Sequence, residues 1–126
     1  DHPSGGYDFF ATACELTGAK VPANTDSISY LPTLLGQSEK QKKHEYLYCE
    51  SLEGQTSVGV RYENWKLVQY RPAKVRKDAK KSQVPTKPDW RLYDLTKDIG
   101  EENNIAVRHP DVVAKILAFL KRDGLL

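Results

Sequence analysis

The sequence predicts an α+β domain: roughly four antiparallel strands packed against a C-terminal helix, with a further helix near the N-terminus. Three observations carry that expectation. Residues Ser57 to Glu63 alternate, placing Val58, Val60 and Tyr62 on one face and Gly59, Arg61 and Glu63 on the other. After a tight turn at Glu63-Asn64, Trp65 to Arg71 alternates again, so the two runs read as a hairpin. Near the C-terminus, Val112, Val113, Ile116, Leu117 and Leu120 form one helical stripe, wide enough to cover a sheet face.

The remaining elements follow in chain order. Pro3 and Gly5-Gly6 mark an opening loop. Asp8 is expected to cap a helix in which Phe9, Phe10, Ala13, Cys14 and Leu16 recur at helical spacing, and Gly18 supplies a left-handed stop. Pro22 lies in a linker, Leu31 to Leu35 make a short helical turn closed by Gly36, and Gln37 to Lys43 form a charged loop. His44 to Glu50 and Arg91 to Leu95 read as two more strands. Thr96 to Gly100 stops the last strand, and Glu101 to Asn104 is a polar turn whose asparagines suit left-handed angles. His109-Pro110 opens the last helix, with proline where its missing N–H costs nothing.

The chain of 126 residues is one domain's worth, and its 39% apolar content is low for a globular sequence. A basic loop at 72–89 explains part of that. The stretch Arg71 to Arg91 carries eight cations and two anions, while the whole chain is only +2. Lys74, Arg76, Lys77, Lys80 and Lys81 are therefore candidate contacts for a polyanion, against the plainer reading of a solvated loop. Nucleic acid is not the expected partner, because the cations sit outside any groove-reading helix. No apolar run reaches membrane-spanning length. The lack of methionine, position 1 included, leads to the expectation of a piece of a longer protein. Cys14 and Cys49 read as buried free thiols, with a disulfide as the alternative. Neither their spacing nor that of the histidines suggests a metal site. Tyr46, Tyr48, Tyr62, Trp65 and Trp90 recur at strand periodicity and read as packing, with a sugar-stacking platform as the alternative.

Several stretches resemble, in order, the closing part of type I, arylsulfatase-family sulfatases. They are Tyr7 to Gly18, the Ser29-Tyr30-Leu31-Pro32-Thr33-Leu34-Leu35-Gly36 turn, Tyr46 to Glu50, Val60 to Val68, and Leu92-Tyr93-Asp94-Leu95 with Asp98, Glu101/Glu102 and Asn103-Asn104-Ile105-Ala106. The family usually has proline after the aspartate where this chain has Ile99. The resemblance implies that residues 1–22, loop and first helix, pack on a catalytic domain, and that 23–126 form a C-terminal subdomain. It implies a secreted or periplasmic parent that hydrolyses sulfate esters, on sulfated glycans among others, using calcium and a formylglycine.

Neither cysteine heads the Cys/Ser-x-Pro/Ala-x-Arg motif from which formylglycine is made, and no aspartate cluster resembles a calcium cradle. The chain alone is thus expected to be inactive, with no catalytic residue, metal or cofactor of its own. Its expected partners are the catalytic domain, a sulfated glycan, and a second copy through an exposed apolar face. His2, Glu50 and Arg61 are candidates for the rim of the substrate pocket, Glu50 and Arg61 as a cross-strand pair. His44 reads as a strand start and His109 as a helix cap. The alternatives are a stand-alone polyanion-binding module that uses the basic loop, and a homologue that has lost catalysis.

Overall fold

The computed structural model describes residues 2–51, 57–70 and 89–126. The elements are α1 (Asp8–Thr17), the single turn α2 (Leu31–Leu34), β1 (Leu47–Ser51), β2 (Ser57–Tyr62), β3 (Trp65–Tyr70), β4 (Asp89–Asp94) and α3 (Pro110–Arg122). They fall into two compact units, Asp1–Leu47 and Tyr48–Leu126. The class is α+β, as the sequence predicts.

In the second unit the strands form one antiparallel sheet in the order β1-β2-β3-β4. Registers Val60↔Leu67 and Leu67↔Leu92 put these three side chains in a row on one face. All three are fully buried, together with Ile116 and Leu120 of α3. Each such side chain contributes on the order of 1.5–3 kcal/mol on leaving water. The same face carries Tyr62, whose ring lies 5.3 Å from that of Phe119 and whose hydroxyl accepts from Lys115 Nζ at 2.6 Å. At the hairpin end Trp65 meets His109, ring centroids 5.0 Å apart. His109 precedes α3 but makes no side-chain cap; it serves by packing. The opposite face also buries side chains, Val68 and Tyr93, so Leu92 and Tyr93 are both interior although they point apart.

The polar run after β4 closes the free flank of the sheet. Asn104 Oδ1 accepts from the N–H of Leu92 at 3.1 Å and of Ala106 at 3.0 Å, and Ile105 N–H donates to Leu92 C=O at 2.9 Å. Asp98 holds the turn itself, its oxygens accepting from Glu102 N–H at 3.0 Å and Asn103 N–H at 2.8 Å. The left-handed residue here is Glu101, φ 57°, not either asparagine; Asn104 is spent on strand β4 instead. Glu101 also pairs with Lys66 of β3. The hairpin turn has a second non-glycine left-handed residue, Glu63 at φ 53°.

Strand limits shift slightly from expectation. β4 runs Asp89–Asp94, and Leu95 leaves the ladder although its N–H donates to Asn64 C=O at 2.8 Å. β1 starts at Leu47 rather than His44, because the His44 side chain is held elsewhere. Among the described residues no helix is long and apolar enough to cross a membrane.

Candidate functional site

The first unit is built on an inverted helix. α1 turns Asp8, Ala11 and Thr12 inward and leaves Phe9 64%, Leu16 63% and Phe10 49% exposed. The inward side is polar because the segment after α1 hydrogen-bonds to it. Ser27 Oγ accepts from Ala11 N–H at 2.8 Å, Asp8 Oδ1 from Ile28 N–H at 2.9 Å, and Thr12 Oγ1 from Tyr30 N–H at 3.1 Å. Asp8 is therefore not the cap the sequence suggests. Tyr7 stands at that position without a side-chain bond, and Asp8 is the first helical residue. Its other oxygen accepts from Gly5 N–H at 2.7 Å, which fixes the opening loop. Gly18 closes the helix at φ 71°, as expected.

His44 completes this cluster. Its Nε2 lies 2.8 Å from Asp8 Oδ1, with the His44 side chain 12% exposed and the Asp8 side chain fully buried. Sequence reasoning missed the pair; the two residues lie 36 positions apart and neither sits in a motif that announces it. Beside them is His2. Both of its ring nitrogens are buried without a hydrogen-bond partner. Burial holds the His2 pKa below the ordinary histidine value, opposed by the Asp8 carboxylate and reinforced by the positive charge of His44 and Lys43. The ring nitrogens of His2 are thus shielded from solvent rather than solvated.

Apolar side chains are also exposed on α2. Leu34 and Leu35 are 64% and 62% exposed. A groove of about 580 Å³ is lined by Ala11, Val21, Ile28, Leu31, Pro32 and Leu35, with Glu15 and Lys42 also in its wall. Monomeric proteins seldom leave large apolar side chains bare in such a group.

In the second unit Glu50 and Arg61 do not form the expected pair. Arg61 Nε donates to Glu63 C=O at 3.3 Å, while Glu50 accepts from the Tyr48 hydroxyl at 3.4 Å. The turn carbonyl is nearer to hand for the guanidinium than a carboxylate on another strand. Cys14 and Cys49 are free, but Cys14 is half-buried and Cys49 exposed, so neither is the buried thiol expected. The cations Lys74, Arg76, Lys77, Lys80 and Lys81 lie outside the described residues. Among the described residues no three His, Cys, Asp or Glu side chains are close enough to hold a metal ion. Among the described residues, the side chains do not fit a calcium cradle.

The comparisons with known proteins agree with the motifs. The chain is 34% identical over 104 residues to a Delta 4,5-hexuronate-2-O-sulfatase of Bacteroides thetaiotaomicron, covering 79% of this chain and 18% of that protein. It is 29% identical over 116 residues to an N-acetylgalactosamine-6-O-sulfatase of the same organism, covering 90% of this chain and 22% of that one. In sequence and in fold, the chain matches a C-terminal sulfatase subdomain. A solved structure from work on glycosaminoglycan metabolism by Bacteroides thetaiotaomicron superposes with a TM-score of 0.62 at 28% identity, covering 94% of this chain and 24% of that one. A second, solved with its substrate D-glucosamine-2-N,6-O-disulfate, shares the fold at a TM-score of 0.62 and 20% identity, over 92% of this chain and 23% of its own. No family model matches the chain. The chain spans about a fifth of the length of the curated relatives it matches.

Proposed function

We propose that this chain is the C-terminal subdomain of a secreted or periplasmic sulfuric ester hydrolase acting on sulfated glycans, and that it packs on a catalytic domain and shapes the substrate pocket. One observation carries the reading. The face of α1 and α2 that a lone domain would bury is bare, while the relatives are about five times as long as the part matched. Residues 1–22 supply most of that apolar face and dock on the catalytic domain; residues 23–126 form the subdomain proper. Calcium and formylglycine belong to the catalytic domain, and this chain contributes no group to either. His2, Glu50 and Arg61 stand as candidate rim residues.

The parent protein, expressed whole, is expected to hydrolyse an aryl sulfate, and the 126-residue chain alone is not. Phe10→Asp and Leu16→Asp replace exposed residues, so they leave this subdomain folded yet impair assembly and activity of the parent. Turnover by the isolated chain, or a parent indifferent to both substitutions, would overturn the proposal. The charge at Lys74 to Lys81 favours a second reading, a polyanion-binding module. Heparin retention that falls with salt and vanishes when these cations are neutralised, in a parent without sulfatase activity, would favour it.

A further inference from the structure

A second cavity lies in the sheet unit, at the hairpin end. It encloses about 320 Å³, within the range of small-ligand pockets, between Trp65, the turn after β4 and the residues leading into α3. Its two carboxylates are already committed. Asp94 Oδ1 accepts from Thr96 N–H at 3.0 Å and Thr96 Oγ1–H at 2.6 Å, and its Oδ2 faces Lys97 Nζ at 3.5 Å. Both oxygens of Asp98 serve backbone N–H groups of the turn. The unspent hydrogen-bonding capacity is of the other kind. Arg108 lines the cavity, exposed, and its guanidinium has no protein partner among the described residues; nor has the side-chain amide of Asn103. These groups offer donors and call for a ligand that brings acceptors. The indole of Trp65, braced by the His109 ring tilted at 48°, supplies an apolar wall beside them.

From this juxtaposition we infer that the cavity binds one sugar residue carrying an anionic group, its C–H face on Trp65 and its sulfate or carboxylate on Arg108. A guanidinium matches a planar or tetrahedral oxyanion through paired N–H bonds. The two fixed carboxylates keep the site near neutrality, which suits a singly charged sugar and disfavours a phosphate-rich ligand. The site is separate from the far end of the sheet. Ser57, Tyr70 and Asp89 pair there, at the opposite end of the six-residue strand β3, roughly 17 Å away at the usual rise per residue. The choice of a sulfated sugar among anionic ones rests on the function proposed above; the donor-rich chemistry of the cavity does not.

The test titrates the full 126-residue chain, labelled with ¹⁵N, with N-acetylgalactosamine 6-sulfate and with unsulfated N-acetylgalactosamine. The expected result is a shift of the Trp65 indole N–H and of backbone amides between 94 and 109, confined to the sulfated sugar. Arg108→Gln should weaken binding about tenfold or more, the usual effect of losing a charged hydrogen-bonding group, and Asn103→Ala less. Both residues are exposed and, among the described residues, unpaired, so both variants should fold. Equal shifts with the neutral sugar, shifts outside this segment, or affinity unchanged in Arg108→Gln would each overturn the inference. An active parent with no such shifts would overturn the cavity alone. Shifts as expected beside an inactive parent would overturn the proposed function and leave the cavity standing.

Discussion

Replacing Asp8 by alanine is the sharpest test of how the first unit holds together. The carboxylate is fully buried and accepts from Gly5 N–H at 2.7 Å and Ile28 N–H at 2.9 Å, with His44 Nε2 at 2.8 Å. Asp8→Ala leaves two half-buried backbone donors and a histidine without their partner. A buried donor left without its partner costs about 1–3 kcal/mol, and breaking a buried pair reaches about 3–5 kcal/mol. The opening loop can fray to water, so the lower part of that range applies, about 3 kcal/mol in all. Asp8→Asn keeps an acceptor for Ile28 but loses the charge and the bond from Gly5 N–H, so its cost should be about half. Chemical denaturation of the three proteins gives the energies, and amide exchange at Gly5 and Ile28 shows whether the loss is local. A cost for Asp8→Ala under about 0.5 kcal/mol, the scale of a neutral surface change, would refute the reasoning, as would equal costs for the two variants.

Other expectations are simpler. Burial lowers the His2 pKa below 6.5, so the unfolded chain binds that proton more readily; His2 then favours the folded state above pH 6.5, and this is lost as pH falls from 6.5 through the folded value. An NMR titration of the His2 ring should have its midpoint below 6.5, and a midpoint above it would contradict the burial argument. Glu63→Gly relieves a left-handed backbone at φ 53° and should stabilise by about 0.5–1 kcal/mol in urea denaturation; a loss of stability would show that the Glu63 side chain matters more than its angle. Ile116→Ala removes a fully buried residue from beneath the sheet and should cost about 2–5 kcal/mol, a smaller loss meaning that α3 settles into the gap.

Much of the sheet unit is legible in the sequence because its contacts are periodic. The alternation of Val58, Val60 and Tyr62 gives the face that α3 covers, and the stripe from Val112 to Leu120 gives the covering helix. Periodicity fails where a long-range hydrogen bond decides the outcome. Apolar spacing in α1 marks Phe9, Phe10 and Leu16 as one group, but not that they face outward while Asp8 and Thr12 are buried; the partners at 27, 28 and 30 lie 16 to 20 positions away. For the same reason His44 reads as the start of a strand. The polar turn is a middle case. Its role as a stop is visible, but which residue goes left-handed depends on Glu101 meeting Lys66, 35 positions earlier. At the candidate site, Glu50 and Arg61 lie on neighbouring strands as expected, yet a turn carbonyl competes for the guanidinium. The donor-rich cavity carries no sequence signal beyond Trp65, since Arg108 and Asn103 come together only through the folding of the turn.

Asn104 and Ile105, bonded along β4, have a consequence for assembly. Stacking by strand addition becomes open-ended only when every unit offers two bare flanks, one to receive and one to give. With the Leu92 N–H and C=O of β4 taken by its own downstream segment, a second copy finds no free partner at that point of the edge. The geometry that caps β4 at Leu92 thus works against strand addition at the middle of that edge.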